Sequence, residues 1–276
     1  MPELPEVETV CRTLRKFVIN KKITDLFIYY NKIIKQPHIE EFKSILLNKT
    51  IQNVSRRGKY ILFDLDDYVL ISHLRMEGKW FYNNKKDPYD PKHVLFVLEL
   101  DQDFELRYHD TRRFGTLDLV KKEELFTIRP LSNLGLEPFN ENFTADYLEE
   151  KWKNRNKAIK TLLLEQNVVT GIGNIYVNEI LFLSKIYPER NVKNITRNDL
   201  ENIVKHTKEV LQKSIDVGGT TISSFHSGNI DGKFQNYLYV HGKAKQPCAV
   251  CSTIIEKTVV GGRGTYYCPE CQKSNL

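Results

Sequence analysis

No stretch of this chain approaches the ~20 consecutive apolar residues that a membrane-crossing helix needs. The opening residues, Met1-Pro2-Glu3-Leu4-Pro5-Glu6-Val7-Glu8-Thr9-Val10, are acidic and punctuated by proline. They lack the basic region and apolar segment of a secretory signal, so a soluble cytoplasmic chain is expected. There is no internal repeat, which sets solenoid and propeller architectures aside. Only five of the 276 residues are cysteine, and without an export signal a disulfide scaffold is disfavoured. Disorder is disfavoured as well, because 41% hydrophobic residues suffice for proper cores.

What is present is a chain long enough for two domains, or one with an appendage. Its net charge of +6 suits an anionic partner without proving one. The surplus is uneven: residues 232–276 hold six Lys and Arg against two acids. In that basic tail, Cys248-x2-Cys251-x16-Cys268-x2-Cys271 has the spacing of a four-thiolate zinc site. Such a site is closed, so one structural Zn2+ is expected and no metal catalysis. Cys11 stands alone beside Val7, Val10 and Leu14 and reads as a buried, inert thiol.

Periodicity divides the rest. Val7, Val10, Cys11, Leu14, Phe17 and Val18 recur at helical spacing. From about 23 to 120 follow short runs rich in β-branched and aromatic residues, broken by turn-formers such as Asp66-Asp67 and Asp101-Gln102-Asp103. Short strands without alternating helices predict an antiparallel β-sandwich or barrel, with the leading helix packed on it. Beyond Leu134-Gly135-Leu136-Glu137-Pro138 the period is helical. Ala158, Ile159, Leu162 and Leu163 form one stripe, and Gly171-Ile172-Gly173-Asn174 opens a helix to about Ser184. Thr196 with Asp199 reads as a capping box, its helix stopped by Gly218-Gly219. The expectation is an α+β multidomain protein: a β-sandwich domain over 1–134, a helical domain over 135–232, and a zinc ribbon over 233–276.

Several residues could carry chemistry. If Met1 is removed, Pro2 presents a secondary amine, able to attack an electrophilic carbon and leave an iminium, as Lys does in Schiff-base catalysis. The positive end of the helix behind it would disfavour the ammonium form. On these residues alone Pro2 serves equally well to open a helix, and Glu3 and Glu6 to complement its dipole. Arg56-Arg57-Gly58-Lys59 gathers three cations around a glycine, or is a basic strand start. Met76 in His73-Leu74-Arg75-Met76-Glu77-Gly78 and Phe114 in Asp110-Thr111-Arg112-Arg113-Phe114-Gly115 are either core residues or apolar wedges for a base stack. Gly171–Asn174 offers helix-start amides to an anion, or is simply capped. The run Lys151-Trp152-Lys153-Asn154-Arg155-Asn156-Lys157 is a candidate contact or a solvated face. Arg263, between glycines at a predicted hairpin tip, could approach a phosphate closely.

The opening Pro2–Thr9 string resembles the start of formamidopyrimidine-DNA glycosylases, bacterial repair enzymes for oxidised purines. Gly261-Gly262-Arg263-Gly264-Thr265 and Cys268-Pro269-Glu270-Cys271-Gln272 are similar to that family's zinc-finger signature. The resemblance runs from Pro2 to Gln272. It implies a bifunctional glycosylase and abasic-site lyase, with Pro2 as nucleophile, Glu3 as proton donor to the sugar, Lys59 assisting β-elimination and Arg263 on the phosphates around the lesion. It implies DNA contacts at His73, His93, Arg155 and Asn174, the last within a helix–two-turn–helix element. Met76, Arg112 and Phe114 would fill the gap left by an extruded base. The implied partner is duplex DNA carrying oxidised bases, met by a monomer in the bacterial cytoplasm, at the nucleoid, with no obligatory protein partner. Thr111, where the family often has Pro, and Val240–Lys245 depart from the pattern and leave local loop geometry open. Residues 217–225 are the expected cover for the extruded base. Two alternatives stand: an endonuclease VIII-like enzyme for oxidised pyrimidines, whose start usually reads Pro-Glu-Gly-Pro, and a non-catalytic zinc-ribbon DNA-binding protein.

Overall fold

The structure is a computed structural model and describes residues 1–220 and 232–274. The chain forms two compact units, one of residues 1–132 and 218–232, the other of 133–217 and 233–276. The zinc-ligand segment thus belongs to the same unit as the helices.

The first unit opens with α1 (Leu4–Val18). Pro5 lies in its first turn, where a missing N–H costs nothing, and Glu6 reaches back to accept from the Glu3 amide at 2.9 Å. Val7, Val10, Cys11, Leu14 and Val18 form the buried stripe. Phe17, expected in that stripe, is instead 46% exposed and stacks on Tyr82 at the rim (5.3 Å between centroids). Cys11 is buried as expected, donates to the Ser55 carbonyl, and burial pushes its thiol up to about 12, away from thiolate chemistry.

Nine strands follow: β1 (Ile23–Ile28), β2 (Ile34–Gln36), β3 (Ile51–Arg57), β4 (Tyr60–Leu65), β5 (Tyr68–His73), β6 (Lys79–Asn84), β7 (Val94–Leu100), β8 (Phe104–His109) and β9 (Thr116–Lys121). They make a four-stranded sheet, β1-β7-β8-β6, and a five-stranded one, β2-β9-β5-β4-β3. All pairings are antiparallel except β2 with β9. Sequence periodicity missed β2 and the helix α2 (Ile39–Leu46), which break the run of strands. Asp66 and Asp101 take positive φ in their hairpins, as turn-forming Asp can. The faces of both sheets and α1 share one core. Trp80 is at its centre, edge-on to Phe63, Phe96 and Tyr108, and its indole N–H donates to Ser72 Oγ at 3.0 Å.

The segment leaving the helical unit returns here: the Glu6 carboxylate also accepts from the backbone N–H and hydroxyl of Thr220, each at 2.9 Å. Glu6 therefore fixes the start of α1 and the stretch after Gly219 together. The rest of the expected cover over 217–225 lies outside the described residues.

The second unit holds α3 (Ala145–Trp152), α4 (Ile159–Leu163), α5 (Asn174–Leu183) and α6 (Arg197–Asp216), then the hairpin β10 (Glu256–Val260) and β11 (Arg263–Tyr267). Helix α5 is apolar nearly all round and buried, with Tyr176 hydrogen-bonded to Ser214 of α6 (2.6 Å). The Thr196–Asp199 capping box opens α6 as the sequence predicts. Helix α3 was not foreseen. It takes in Lys151 and Trp152, and Trp152 is buried. Among the described residues no helix is long and apolar enough to cross a membrane.

Candidate active site and nucleic-acid interface

Pro2 and Glu3 are both buried at the N-terminal mouth of α1. Glu3 is the helix's N-cap residue, in an extended conformation. Helix α1 packs on β3 and β4, the strands joined by the turn Gly58-Lys59. Gly58 takes φ +56° at the first position of this two-residue hairpin loop, which only glycine adopts freely. Lys59 is buried there. Of the three cations around Gly58, Arg56 is held by Glu8 at 3.1 Å, and Glu8 also binds Arg12 and Arg15.

His73 closes β5. It is buried edge-on against Tyr60 (4.4 Å), and its Nδ1 accepts from the Arg75 amide at 3.0 Å. Burial, then the charges of Arg75 and Lys59, hold its pKa down to about 3. It can meet a phosphate as a neutral N–H donor, not as a cation. The unfolded chain takes up this proton near pH 6.5 and the folded chain only near 3, so stability is full above 6.5 and declines as pH falls through that window. The slope approaches ~1.4 kcal/mol per pH unit. We expect urea midpoints to drop between pH 6.5 and 4.5, and His73→Gln to flatten the drop for the first unit. An unchanged slope in the variant would remove His73 from the acid response.

Two loops of this unit carry the three side chains expected to form a wedge. Met76 is 39% exposed and Phe114 53%, with the Arg112 guanidinium 4.8 Å from the Phe114 ring. Neither Met76 nor Phe114 is a core residue, so the core reading of these two positions falls. His93 ends the loop 85–93, which lies along β8: buried Arg107 donates to the Asn84 carbonyl (3.1 Å), pairs with Glu105 (2.7 Å) and stacks under Tyr89 (4.3 Å).

In the second unit the four cysteine sulfurs lie within 4.8 Å of one another, with separations such as 3.4, 3.5 and 3.9 Å. Sulfurs at the corners of a tetrahedron with Zn–S of about 2.3 Å stand ~3.8 Å apart, so this set fits one zinc ion. No disulfide joins them. Glycines 261 and 262, both at positive φ, form the hairpin tip just before Arg263. Lys160 of α4, fully buried, donates to the Gly264 carbonyl (3.1 Å) and Thr265 Oγ (2.6 Å). Asn174, the first residue of α5, donates to the same Gly264 carbonyl at 2.9 Å. The side chain expected to grip a phosphate thus also anchors the tip beside Arg263. Arg155 is engaged by Glu165 (2.5 and 2.7 Å), together with Lys157 (3.0 Å). Glu179 on α5, buried, accepts the backbone N–H groups of Tyr239, Val240 and His241 (2.6, 3.1 and 2.7 Å). Burial raises its pKa against those three bonds. They fix the segment that leads to Cys248.

Sequence reasoning missed Lys160 and Glu179 as anchors. The available signal was a charge inside an apolar helical stripe, Lys160 between Ile159 and Leu162, Glu179 between Val177 and Ile180.

Comparison with known proteins covers nearly the whole chain. The formamidopyrimidine-DNA glycosylase N-terminal domain matches residues 1–117, the H2TH domain of the same enzymes 134–226, and a zinc finger found in FPG and IleRS 245–273. The chain is 47% identical over 274 residues to a formamidopyrimidine-DNA glycosylase of Shouchella clausii, covering 99% of each. It is 45% identical to one of Ureaplasma parvum, covering 99% of this chain and all of the other. Among solved structures, a Lactococcus lactis FPG mutant in complex with Fapy-dG-containing DNA superposes with a TM-score of 0.94 at 40% identity, over 99% of this chain and 100% of that one. With the same identity and coverage, the L. lactis Fpg bound to DNA with an abasic site gives 0.93, and the wild-type L. lactis protein bound to oxidised-pyrimidine DNA gives 0.92.

Proposed function

This chain belongs to the formamidopyrimidine-DNA glycosylases, and from that premise we propose that Pro2, freed by removal of Met1, is the nucleophile with which it excises damaged bases. The protein is a bifunctional glycosylase and abasic-site lyase acting on DNA that contains oxidised purines. The observation that carries the residue assignment is the placement of Pro2 and Glu3, buried side by side where α1 begins.

A base inside a duplex cannot be reached, so the lesion is first extruded. The unprotonated Pro2 nitrogen attacks C1′, the bond from C1′ to the base breaks with its electron pair on the base, and the proton that the nitrogen gives up passes to the departing base. Glu3 donates a proton to the ring oxygen as the bond from C1′ to that oxygen opens, leaving an iminium between C1′ and Pro2. The iminium acidifies C2′, whose proton departs as the 3′-phosphate leaves, and a second elimination expels the 5′-phosphate. An α-amino group has a pKa of about 7.7–8.0, so a fraction is nucleophilic near neutrality, and the positive end of α1 enlarges it. Lys59 assists the eliminations, and Arg263 holds phosphate. Cys248, Cys251, Cys268 and Cys271 would hold the zinc, which gives the hairpin its fold and no chemistry. His73, His93, Arg155 and Asn174 are proposed phosphate contacts, and Met76, Arg112 and Phe114 the filling for the vacated stack. The protein is proposed to act as a monomer in the cytoplasm.

Borohydride reduces the iminium to a stable amine, so a protein–DNA adduct should accumulate on an 8-oxoguanine duplex. Absence of any adduct would exclude the mechanism. The wild-type L. lactis complex with oxidised-pyrimidine DNA favours a wider lesion range, and rates on 8-oxoguanine and thymine-glycol duplexes decide it. Preference for thymine glycol would return the reading to the endonuclease VIII type.

A further inference from the structure

Met76, Arg112 and Phe114 come from two separate loops, residues 74–78 between β5 and β6 and residues 110–115 between β8 and β9. Tyr108, wholly buried, lies between the two. A Cβ placed on Gly78 would stand 2.1 Å from the Tyr108 hydroxyl, and one placed on Gly115 only 1.8 Å. Both loops therefore end in glycine because each backbone closes on the same oxygen. That hydroxyl has no hydrogen-bond partner among the described residues. Its contribution is steric: it sets the distance between the two loops.

Asp110 shapes the second loop from within. It is 1% exposed, and its carboxylate accepts from the amides of Arg112 (2.9 Å), Phe114 (2.9 Å) and Gly115 (2.7 Å). Its own amide donates to the His93 carbonyl at 3.0 Å. Two further facts show that the loops are held and not relaxed. Arg75, just before Met76, has φ +53°, and Arg113, just before Phe114, has φ +57°. Non-glycine residues keep such conformations only where the surroundings impose them. In the first loop the Gly78 amide closes on the Leu74 carbonyl (2.9 Å) and the Arg75 amide on His73 (3.0 Å).

We infer that Tyr108 and Asp110 are positioning residues, Tyr108 spacing the Met76 loop from the Arg112–Phe114 loop and Asp110 holding the second loop in shape, so that the three side chains meet a base stack as one wedge of fixed shape. The inference rests on the wedge role proposed above for those side chains. Tyr108 and Asp110 are too deeply buried to touch DNA and act through the loops alone.

The test compares single-turnover excision of 8-oxoguanine from two duplexes, one with the lesion paired to cytosine and one with it opposite an abasic position. Asp110→Asn puts an NH2 where a carboxylate oxygen accepts amides, and Tyr108→Phe removes only the spacing oxygen. An unpaired lesion needs less help to leave the stack. We expect Asp110→Asn to slow excision of the paired lesion about 10-fold or more, Tyr108→Phe about 3-fold or more, and both deficits to shrink at least about 3-fold on the unpaired lesion. Equal deficits on the two duplexes, or wild-type rates in both variants, overturn the inference. Tyr108→Phe keeps the ring and its packing, so its ratio decides the matter alone if Asp110→Asn does not fold, as thermal unfolding will report. A wild-type chain that neither excises nor forms a borohydride adduct would sink the catalytic reading itself, a result distinct from any ratio between variants.

Discussion

Leaving Met1 in place, or adding two residues ahead of Pro2, is expected to lower both base excision and strand cleavage by about 10³-fold or more, with duplex binding held within about twofold. The reason is electronic. Joined to a preceding residue, the Pro2 nitrogen is part of a planar amide, its lone pair delocalised into the carbonyl. It is then neither basic nor nucleophilic, whatever its position. A factor of 10³ corresponds to about 4 kcal/mol of barrier, reasonable for removing the only group that bonds to the sugar. Glu3→Gln, which keeps the size of the side chain and removes its acidity, should cost ~10²–10⁴ in excision by the usual range for a proton donor. Intact-mass measurement establishes the N-terminus, and gel assays on 8-oxoguanine DNA give the rates. Full activity in a protein shown to retain Met1 would mean that another amine is the nucleophile.

The second large effect is expected from removing zinc. The small apolar cluster around the cysteines consists of Phe182, Val240, Cys248, Ile255 and Cys268, with Leu183, Tyr239 and Tyr266 among its partly buried flank. That is too little to fold some forty residues, and small modules of this kind rely on the metal. Structural zinc contributes apparent free energies of about 10–16 kcal/mol, as large as the stability of a whole domain. Chelation or Cys268→Ser should therefore unfold β10 and β11 and release Arg263. The damage should spread to α4, because buried Lys160 loses its bonds to the Gly264 carbonyl and the Thr265 hydroxyl. Duplex affinity should fall about 10²-fold, with a shallower salt dependence as phosphate contacts disappear. Zinc content, near-UV dichroism from Tyr266 and Tyr267, and titrations at two salt concentrations check this together. A chelated protein that keeps its tyrosine signal and its affinity would refute it.

Much of the fold was legible because it is written locally. The Thr196–Asp199 box needs four residues, the cysteine pairs need two spacings, and the hairpins around Asp66 and Asp101 announce themselves by turn chemistry. What escaped is either short or non-local. Helix α2 offers only two turns, and β2 three residues in a parallel pairing that no turn reveals. Phe17 fits the apolar spacing of α1 but meets Tyr82 at a rim that only the tertiary fold defines. At the site, the motifs marked residues whose neighbours in the string already suggest a role, such as Pro2, Lys59, Met76 and Arg263. They did not mark Tyr108, Lys160 or Glu179, whose significance depends on partners far along the chain: Gly264 lies 104 residues from Lys160, and Val240 lies 61 from Glu179. Asp110 sat in a quoted motif without a role, since nothing in the string tells that its carboxylate turns inward onto three amides.

The bonds from Glu6 to Thr220 span 214 positions. A ribosome adding 5–20 residues per second needs about 10–40 s to travel that far. Throughout that interval the front of the nascent polypeptide lacks the contact that ties the start of α1 to Thr220. A truncated product released before that point would carry the proposed nucleophile without its brace.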